Sequence, residues 1–315
     1  MLRDSSFCNR VWTLQERFLS PRLLYFAAEV EWQCGEHVES DTDDEYEQGV
    51  FEMGIASFKR ATNTIGRDRK DFDLHKLREH WADMAGTYTQ SNVTYSSDRA
   101  IALQGVIQYV QERTGYESLA GLWRPILLSQ LLWWSHDTLA IKHKPTFAPS
   151  WSWLGRSGSI WYSFFEPQTE SVFDSEIVHA QARFLSGEAG PRWIGEIHIE
   201  GFLIPIAFDG TRHCQLSAFA IDGLKIGKTP HLVLAYDIPF HEMELFLLPI
   251  ANGSTDSETR CYFGLVLSLS RTTTGAYERQ GYHNFNSRRE ECKEITAGIS
   301  KVPSSELEQQ IMILV

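Results

Sequence analysis

The chain has 315 residues and a formal net charge of −12. Apolar residues make up 43% of it, aromatic residues 12% and charged residues 22%, a globular composition that excludes a disordered acidic tail or a collagen-like repeat. The negative charge argues against a protein that binds nucleic acid through a basic surface, because there is no surplus of Lys and Arg to neutralise phosphates.

The cysteine pattern and the apolar runs predict a cytoplasmic protein. The five cysteines are scattered without a C-x-x-C pair, which favours reduced thiols over a disulfide framework or a zinc ribbon. The first residues lack the apolar core of a signal peptide, and the most apolar stretch, residues 122–134, is too short to cross a bilayer. We therefore expect no membrane interaction.

The first predicted element is a capped helical turn that leads into a strand. Thr13 and Glu16 have the spacing of a capping box, in which a hydroxyl and a carboxylate satisfy backbone donors. Residues 20–21, Ser-Pro, predict a turn. Residues 23–26 then have the character of a buried strand, and Trp32 would extend the same apolar wall.

Three apolar stripes predict helices in the next hundred residues. They cover residues 74–88, 101–110 and 117–134. Asp71 or Asp73 is the expected N-cap of the first helix, Asp98 precedes the second, and Gly115 closes it. Pro125 either kinks the third helix or marks a late start.

The pattern changes near residue 144. From there on, short runs rich in aromatic and β-branched residues alternate with turn residues, and residues 197–202 alternate strictly. The predicted fold class is α+β, with a helical N-terminal part followed by an antiparallel β-rich part that is sandwich- or barrel-like. The predicted domains are residues 1–35, 36–144 and 145–315.

No metal-ligand set, nucleotide-binding loop or catalytic constellation is recognisable from spacing, and the eleven histidines form no ligand set. We therefore expect no cofactor and no metal. The most specific pattern in the chain is instead the string R-V-W-T-L-Q-E-R-F-L-S-P-R at residues 10–22.

This string closely resembles the third signature block of the fungal heterokaryon-incompatibility (HET) domain, approximately R-x-W-T-L-Q-E-R-x-L-S-P-R. The matching residues are Trp12, Thr13, Leu14, Gln15, Glu16, Arg17, Leu19, Ser20, Pro21 and Arg22. Further landmarks of such proteins follow in the same order along the chain. They are Trp81 and Tyr88, Asp98 and Arg99 with A-L-Q-G at residues 102–105, A-G-L-W ending at Trp123, A-P-S-W-S-W with Pro149, Trp151 and Trp153, and Y-E-R-Q-G at residues 277–281.

The resemblance implies an intracellular protein of fungal non-self recognition that triggers cell death, with an unidentified protein as its partner. Two earlier signature blocks of the family, approximately Y-x-A-L-S-Y-x-W-G and W-I-D-x-L-C-I-N-Q, do not occur in this sequence. We therefore expect residues 1–35 to be the C-terminal remnant of a HET domain, and the chain to be an incomplete copy.

Three alternatives remain at the level of sequence. HET domains resemble, remotely, TIR domains that cleave NAD through a glutamate, which would make Glu16 catalytic rather than a capping residue. Trp151 and Trp153, with Trp161 beyond them, could form a platform on which sugars stack, or they could pack in the core. A binding or scaffolding β-domain without catalysis is the third interpretation.

Overall fold

A computed structural model of the chain describes residues 10–26, 30–34, 38–40, 58–59, 61–62, 73–95, 98–135, 147–155, 158–162, 172–173, 175–188, 190–208, 219–221, 224–226, 232–234, 244–254, 260–286 and 310–315. Within these residues the helices lie mostly before residue 131, and strands dominate thereafter. The predicted α+β fold class is confirmed.

The helices agree with the first two apolar stripes. They are α1 Val11–Leu19, α2 Leu74–Gln90, α3 Asp98–Ala102, α4 Gln104–Thr114 and α5 Leu127–Gln130. The Asp73 carboxylate caps α2 by accepting a hydrogen bond from the backbone N–H of His75 at 2.9 Å. Gly115, with φ of 75°, ends α4 in the left-handed conformation that glycine tolerates best.

The helix predicted over residues 117–134 is wrong. The segment forms a hairpin of β4 Ser118–Leu119 and β5 Leu122–Trp123, then a 3₁₀ turn Arg124–Ile126, the short α5, and β6 Trp133–Ser135. Ala120 and Gly121 have φ of 45° and 85°, and this pair of positive values reverses the chain between β4 and β5. Pro125 lies in the 3₁₀ turn, and α5 begins only after it.

Three small sheets precede or flank the main one. The first has the order β1-β2-β3, from Arg22–Phe26, Val30–Cys34 and Val38–Ser40. The second is the β4–β5 hairpin. The third pairs β6 with β7 Ile160–Tyr162.

The main sheet contains the remaining described strands. They are β8 Val172–Phe173, β9 Glu176–Leu185, β10 Arg192–Gly201, β11 Ile204–Phe208, β12 Phe219–Ile221, β13 Leu224–Ile226, β14 Leu232–Leu234, β15 Leu245–Ser254, β16 Arg260–Leu269, β17 Ala276–Asn286 and β18 Gln310–Leu314. Their order is β13-β12-β11-β15-β16-β17-β18-β10-β9, with β8 paired to β15 and β14 to β17.

The main sheet differs from the prediction in two respects. All its pairs are antiparallel except β17 with β18, which run parallel, so the sheet is mixed. Among the described strands, β9 and β13 end the path and do not pair with each other, so the sheet is open and not a closed barrel.

One hydrophobic core joins the helices to the main sheet. It includes Val11 of α1, Trp81 of α2, Ile197 of β10 and Leu314 of β18, all fully buried. The three-domain division of the chain stays a prediction.

His283 of β17 is a titratable group inside this core. It lies opposite Gly264 of β16, and a Cβ at Gly264 would overlap the His283 ring. Burial lowers the pKa of His283 to about 3, because the charged imidazolium would lose its hydration. The side chain is therefore neutral in the folded protein at physiological pH.

This predicts an acid-sensitive fold. Between about pH 6.5 and pH 3 the unfolded chain binds a proton at His283 that the folded chain does not, so His283 should lower the free energy of unfolding by up to about 1.4 kcal/mol per pH unit as the pH falls. Urea denaturation of the wild type and of His283→Gln at several pH values measures this slope. The variant should show the smaller slope. Equal slopes for the wild type and His283→Gln would contradict the prediction.

Candidate functional site

The segment that resembles the HET block forms α1 and the start of β1. The helix begins at Val11 with Arg10 as the N-cap residue, and no side-chain hydrogen bond caps it. Thr13 lies inside the helix, so the predicted capping box with Glu16 is wrong. The backbone N–H of Ser20 donates to the carbonyl of Glu16 at 3.0 Å and closes the last turn.

Helix α1 packs on α4 where α4 carries a glycine. A Cβ at Gly105 would lie 2.7 Å from the amide nitrogen of Gln15 and 3.1 Å from Leu19 Cδ1. Glycine therefore allows the two helices to approach this closely. Trp12 adds a second link, because its indole N–H donates to the Asp98 carboxylate at 3.3 Å. Two of the landmark segments thus contact residues 10–22 directly.

A buried lysine holds the C-terminal end of α1. Lys59 is 3% exposed, and its ammonium donates to the carbonyl oxygens of Arg17, at 3.1 Å, and of Ser20. A cation at this end donates hydrogen bonds to carbonyls that have no partner within the helix, and its charge is attracted to the negative end of the helix dipole. Burial lowers the pKa of Lys59, with nearby Cys34 acting in the opposite direction.

Strand β1 is confirmed, but its predicted burial is wrong. Leu24 and Phe26 are 49% and 77% exposed, and Trp32 of β2 is 36% exposed. Leu24 lies opposite Trp32 in the β1–β2 register, so these three side chains share one side of the sheet. We call this surface the β1–β2 face. On the opposite side, Gln33 is buried.

The hairpin turn at Ala120 and Gly121 is in contact with side chains of two other landmark segments. The indole N–H of Trp81 donates to the Gly121 carbonyl at 2.8 Å, and the Ser152 hydroxyl donates to the Ala120 carbonyl at 2.7 Å. A Cβ at Gly121 would lie 3.2 Å from the Trp153 ring. The ring centroids of Trp81 and Trp123 are 4.9 Å apart, in an edge-to-face contact.

Tyr88 and Arg99 form a reciprocal pair at the end of α2. The Tyr88 hydroxyl donates to the Arg99 carbonyl, and the Arg99 guanidinium donates to the carbonyls of Tyr88, at 3.2 Å, and Ser91, at 2.6 Å. Both side chains are buried. The guanidinium therefore satisfies carbonyls that the helix end would otherwise leave without donors.

The segment around Pro149 joins the turn to the main sheet. The Pro149 carbonyl accepts from the Ser152 N–H at 3.0 Å, and the Trp151 carbonyl accepts from the Trp133 indole at 2.9 Å. The Ser150 hydroxyl accepts from the backbone N–H of Arg279 at 2.9 Å. The Arg279 guanidinium lies 3.6 Å from the centroid of the Trp133 ring, which is a cation–π contact.

The burial of the tryptophans excludes the sugar platform. Trp151 and Trp153 are both 0% exposed, so neither ring face can stack on a saccharide. Trp161 of β7 is 53% exposed, but the two rings that would complete a platform with it are buried. The core-packing interpretation of these landmarks is confirmed.

The side chain of Glu16 is exposed on α1 and is not enclosed by the residues that the structure describes. An open groove of about 500 Å³ lies elsewhere, on β9 and β10, and is lined in part by Gln181, Arg183 and Glu196. NAD cleavage needs a cleft that encloses the nucleotide around the acidic group. The position of Glu16 therefore gives the NAD-cleaving alternative no support.

The described part of the chain holds no group of three or more His, Cys, Asp or Glu side chains arranged to bind a metal ion. No helix among these residues is both long and apolar enough to span a membrane.

Comparison with protein-family models, with curated proteins and with solved structures finds no match. The similarity to the HET family therefore rests on the motif and landmarks quoted above.

If the turn at Ala120 and Gly121 organises this region, Gly121→Ala should be costly. The substitution imposes φ of 85° on alanine and presses a Cβ against Leu154 and Trp153, at 3.1 and 3.2 Å, which should lower the free energy of unfolding by about 2–4 kcal/mol. Gly115→Ala is the matched control, since its φ is 75° and nothing lies within 4 Å of the new Cβ. It should cost about 1 kcal/mol. Equal losses for both variants in urea denaturation would show that packing at the turn contributes nothing.

Proposed function

We propose that this chain is a HET-family intracellular protein of fungal non-self recognition, and that it takes part in cell-death signalling by binding a protein partner. The resemblance of residues 10–22, and of the landmarks that follow them, supports the family. The observation that supports a binding role is the exposed β1–β2 face, which is built on the motif's own strand.

The β1–β2 face has the character of a contact surface. Leu24, Phe26 and Trp32 are large, adjacent and between 36% and 77% exposed. Contiguous apolar patches of this kind on a protein surface commonly mark binding sites, whereas single exposed apolar residues do not. Aromatic residues are also enriched among those that dominate binding energy.

The rim of the face indicates the chemistry of the partner. Arg22 of β1 and Glu39 of β3 lie on the same side of the sheet as Leu24 and Trp32, one on each edge strand, and both are exposed. A partner that fits this surface presents an apolar centre, with an acidic side chain facing Arg22 and a basic one facing Glu39. Such charge pairs favour the correct orientation more than they add affinity.

A scaffolding role without catalysis agrees with where the landmarks lie. The tryptophans of the A-G-L-W and A-P-S-W-S-W segments are buried, and Trp123 and Trp153 pack against Trp81 of α2. Residues with that role position a surface rather than perform a reaction. No observation on Glu16 favours the NAD-cleaving alternative over this one.

Inducible expression of the full chain in a filamentous fungus tests the proposal. We expect the wild type to cause growth arrest and loss of viability, and the double substitution Leu24→Glu with Phe26→Glu to abolish both, because two carboxylates on the β1–β2 face would oppose burial against an apolar partner. Vital-dye uptake and colony counts measure the response.

Val178→Glu is the matched control, since Val178 is 50% exposed on β9, in the main sheet. It should retain the wild-type response. Circular dichroism of the purified variants checks that each folds. Full activity of the double variant, or no response to a folded wild type, would contradict the proposal.

A further inference from the structure

Two histidines face each other across the edge of the main sheet. His179 of β9 and His198 of β10 are directly paired in the antiparallel register, and the centroids of their rings are 5.2 Å apart. The register shifts after this pair, where Val178 of β9 is the extra residue. His179 is exposed and His198 is half-buried.

The separation of the rings matches that of two imidazoles on one tetrahedral ion. A Zn–N distance of 2.0–2.1 Å places each ring centroid about 3.2 Å from the metal, so two rings at the tetrahedral angle have centroids about 5.2 Å apart. The two rings of this pair thus already lie at the centroid separation that binding requires. Rotation about the side-chain torsions would turn the ligand nitrogens toward the ion.

A carboxylate supports His198 on the same side of the sheet. Glu196 Oε1 lies 3.4 Å from His198 Nε2, and the same oxygen accepts a hydrogen bond from Gln181 at 2.8 Å. Histidines that bind metals commonly direct their second ring nitrogen at a carboxylate, which fixes the tautomer and increases ligand basicity. Glu196 is suited to this supporting role, and Nδ1 of His198 would then be the ligand atom.

The surrounding charges favour a cation. Glu200 and Glu176 are paired in the register and lie on the same face of the sheet as the two histidines. Glu196 lies on this face too, two residues before His198 along β10. Two cations share this side of the strands, Arg183 opposite Ile194 and Arg192 opposite Leu185. The chain as a whole carries a net charge of −12.

We propose that His179 and His198 form a two-histidine site for a divalent transition-metal ion such as Zn²⁺ on the outer side of β9 and β10, with Glu196 orienting His198 and water completing the coordination. Neutral imidazole is a preferred ligand of this class of ion. The ion would link the edge strand β9 to its neighbour and stabilise the folded form.

Titration of the full chain with Zn²⁺ against a chromophoric chelator at pH 7.5 tests the site. We expect one saturable site in the wild type that His179→Gln and His198→Gln each abolish. Glu196→Gln should retain the site with about 10-fold weaker binding, because it removes only the supporting carboxylate. Zn²⁺ should also raise the midpoint of thermal unfolding of the wild type, but not of the two histidine variants.

His75→Gln is the matched control. His75 Nδ1 lies 3.4 Å from a Glu79 carboxylate oxygen on α2, the same separation as in the His198–Glu196 pair. This variant should bind Zn²⁺ as the wild type does. The proposal is overturned if the wild type shows no saturable binding tighter than about 100 μM, or if His179→Gln and His198→Gln bind with wild-type stoichiometry and affinity.

Discussion

The fold of the described helical region depends on two backbone carbonyls that accept hydrogen bonds from distant side chains. Those of Ala120 and Gly121 project from a two-residue turn into a region filled with tryptophan side chains. A buried carbonyl without a donor destabilises a fold, and so does a buried indole N–H without an acceptor. The bonds from Trp81 to Gly121 and from Ser152 to Ala120 satisfy both demands at once. They also tie α2 and the Pro149 segment to the same turn.

From this turn the constraints extend in both directions along the chain. Trp133 donates to the Trp151 carbonyl, and Ser150 receives the Arg279 N–H, so the second tryptophan landmark connects to β17. Toward the N-terminus, α2 ends at the Tyr88–Arg99 pair, and α1 packs against α4 at Gly105. Segments that are widely separated in sequence therefore meet where one satisfies a buried polar group of another or, at Gly105, where glycine allows close packing.

The region of the motif combines a buried and an exposed role. Arg17 is buried, and Lys59 binds its carbonyl, so the helix α1 is fixed to the core. The strand that follows carries Leu24 and Phe26 outward. A rigid helix that presents an apolar strand is a suitable basis for recognition, since a preorganised surface loses less conformational entropy on binding.

Local signals predicted α2 and α4 well. The apolar period that marks α2 and the Asp73 residue that caps it are neighbours in sequence. A short stretch of sequence is therefore enough to predict both the helix and its first residue. The apolar run over residues 117–134 misled the prediction, because the run is buried whether it forms a helix or two short strands. Pro125 signalled an interruption, since α5 begins only after it, but the positive φ of Ala120 that reverses the chain has no signal in the sequence.

Burial and long-range pairing could not be predicted from the sequence in the same way. Residues 23–26 are apolar on both sides of the strand, so their pattern does not show that Leu24 and Phe26 face outward. His179 and His198 are nineteen residues apart, and their pairing depends on the length of the hairpin and on the register shift beside them. Neither feature can be deduced from spacing along the chain.

Native-state hydrogen exchange tests the central claim, that the landmarks connect the helices and the main sheet into one cooperative core. At increasing urea concentrations, the slowest amides of α2 and of β10 should exchange through the same opening, with equal free energies and equal denaturant dependence. The indole N–H of Trp81 should follow them. If α2 and the Trp81 indole opened at lower free energy while β10 stayed protected, the helices would be a separate unit and the account would be contradicted.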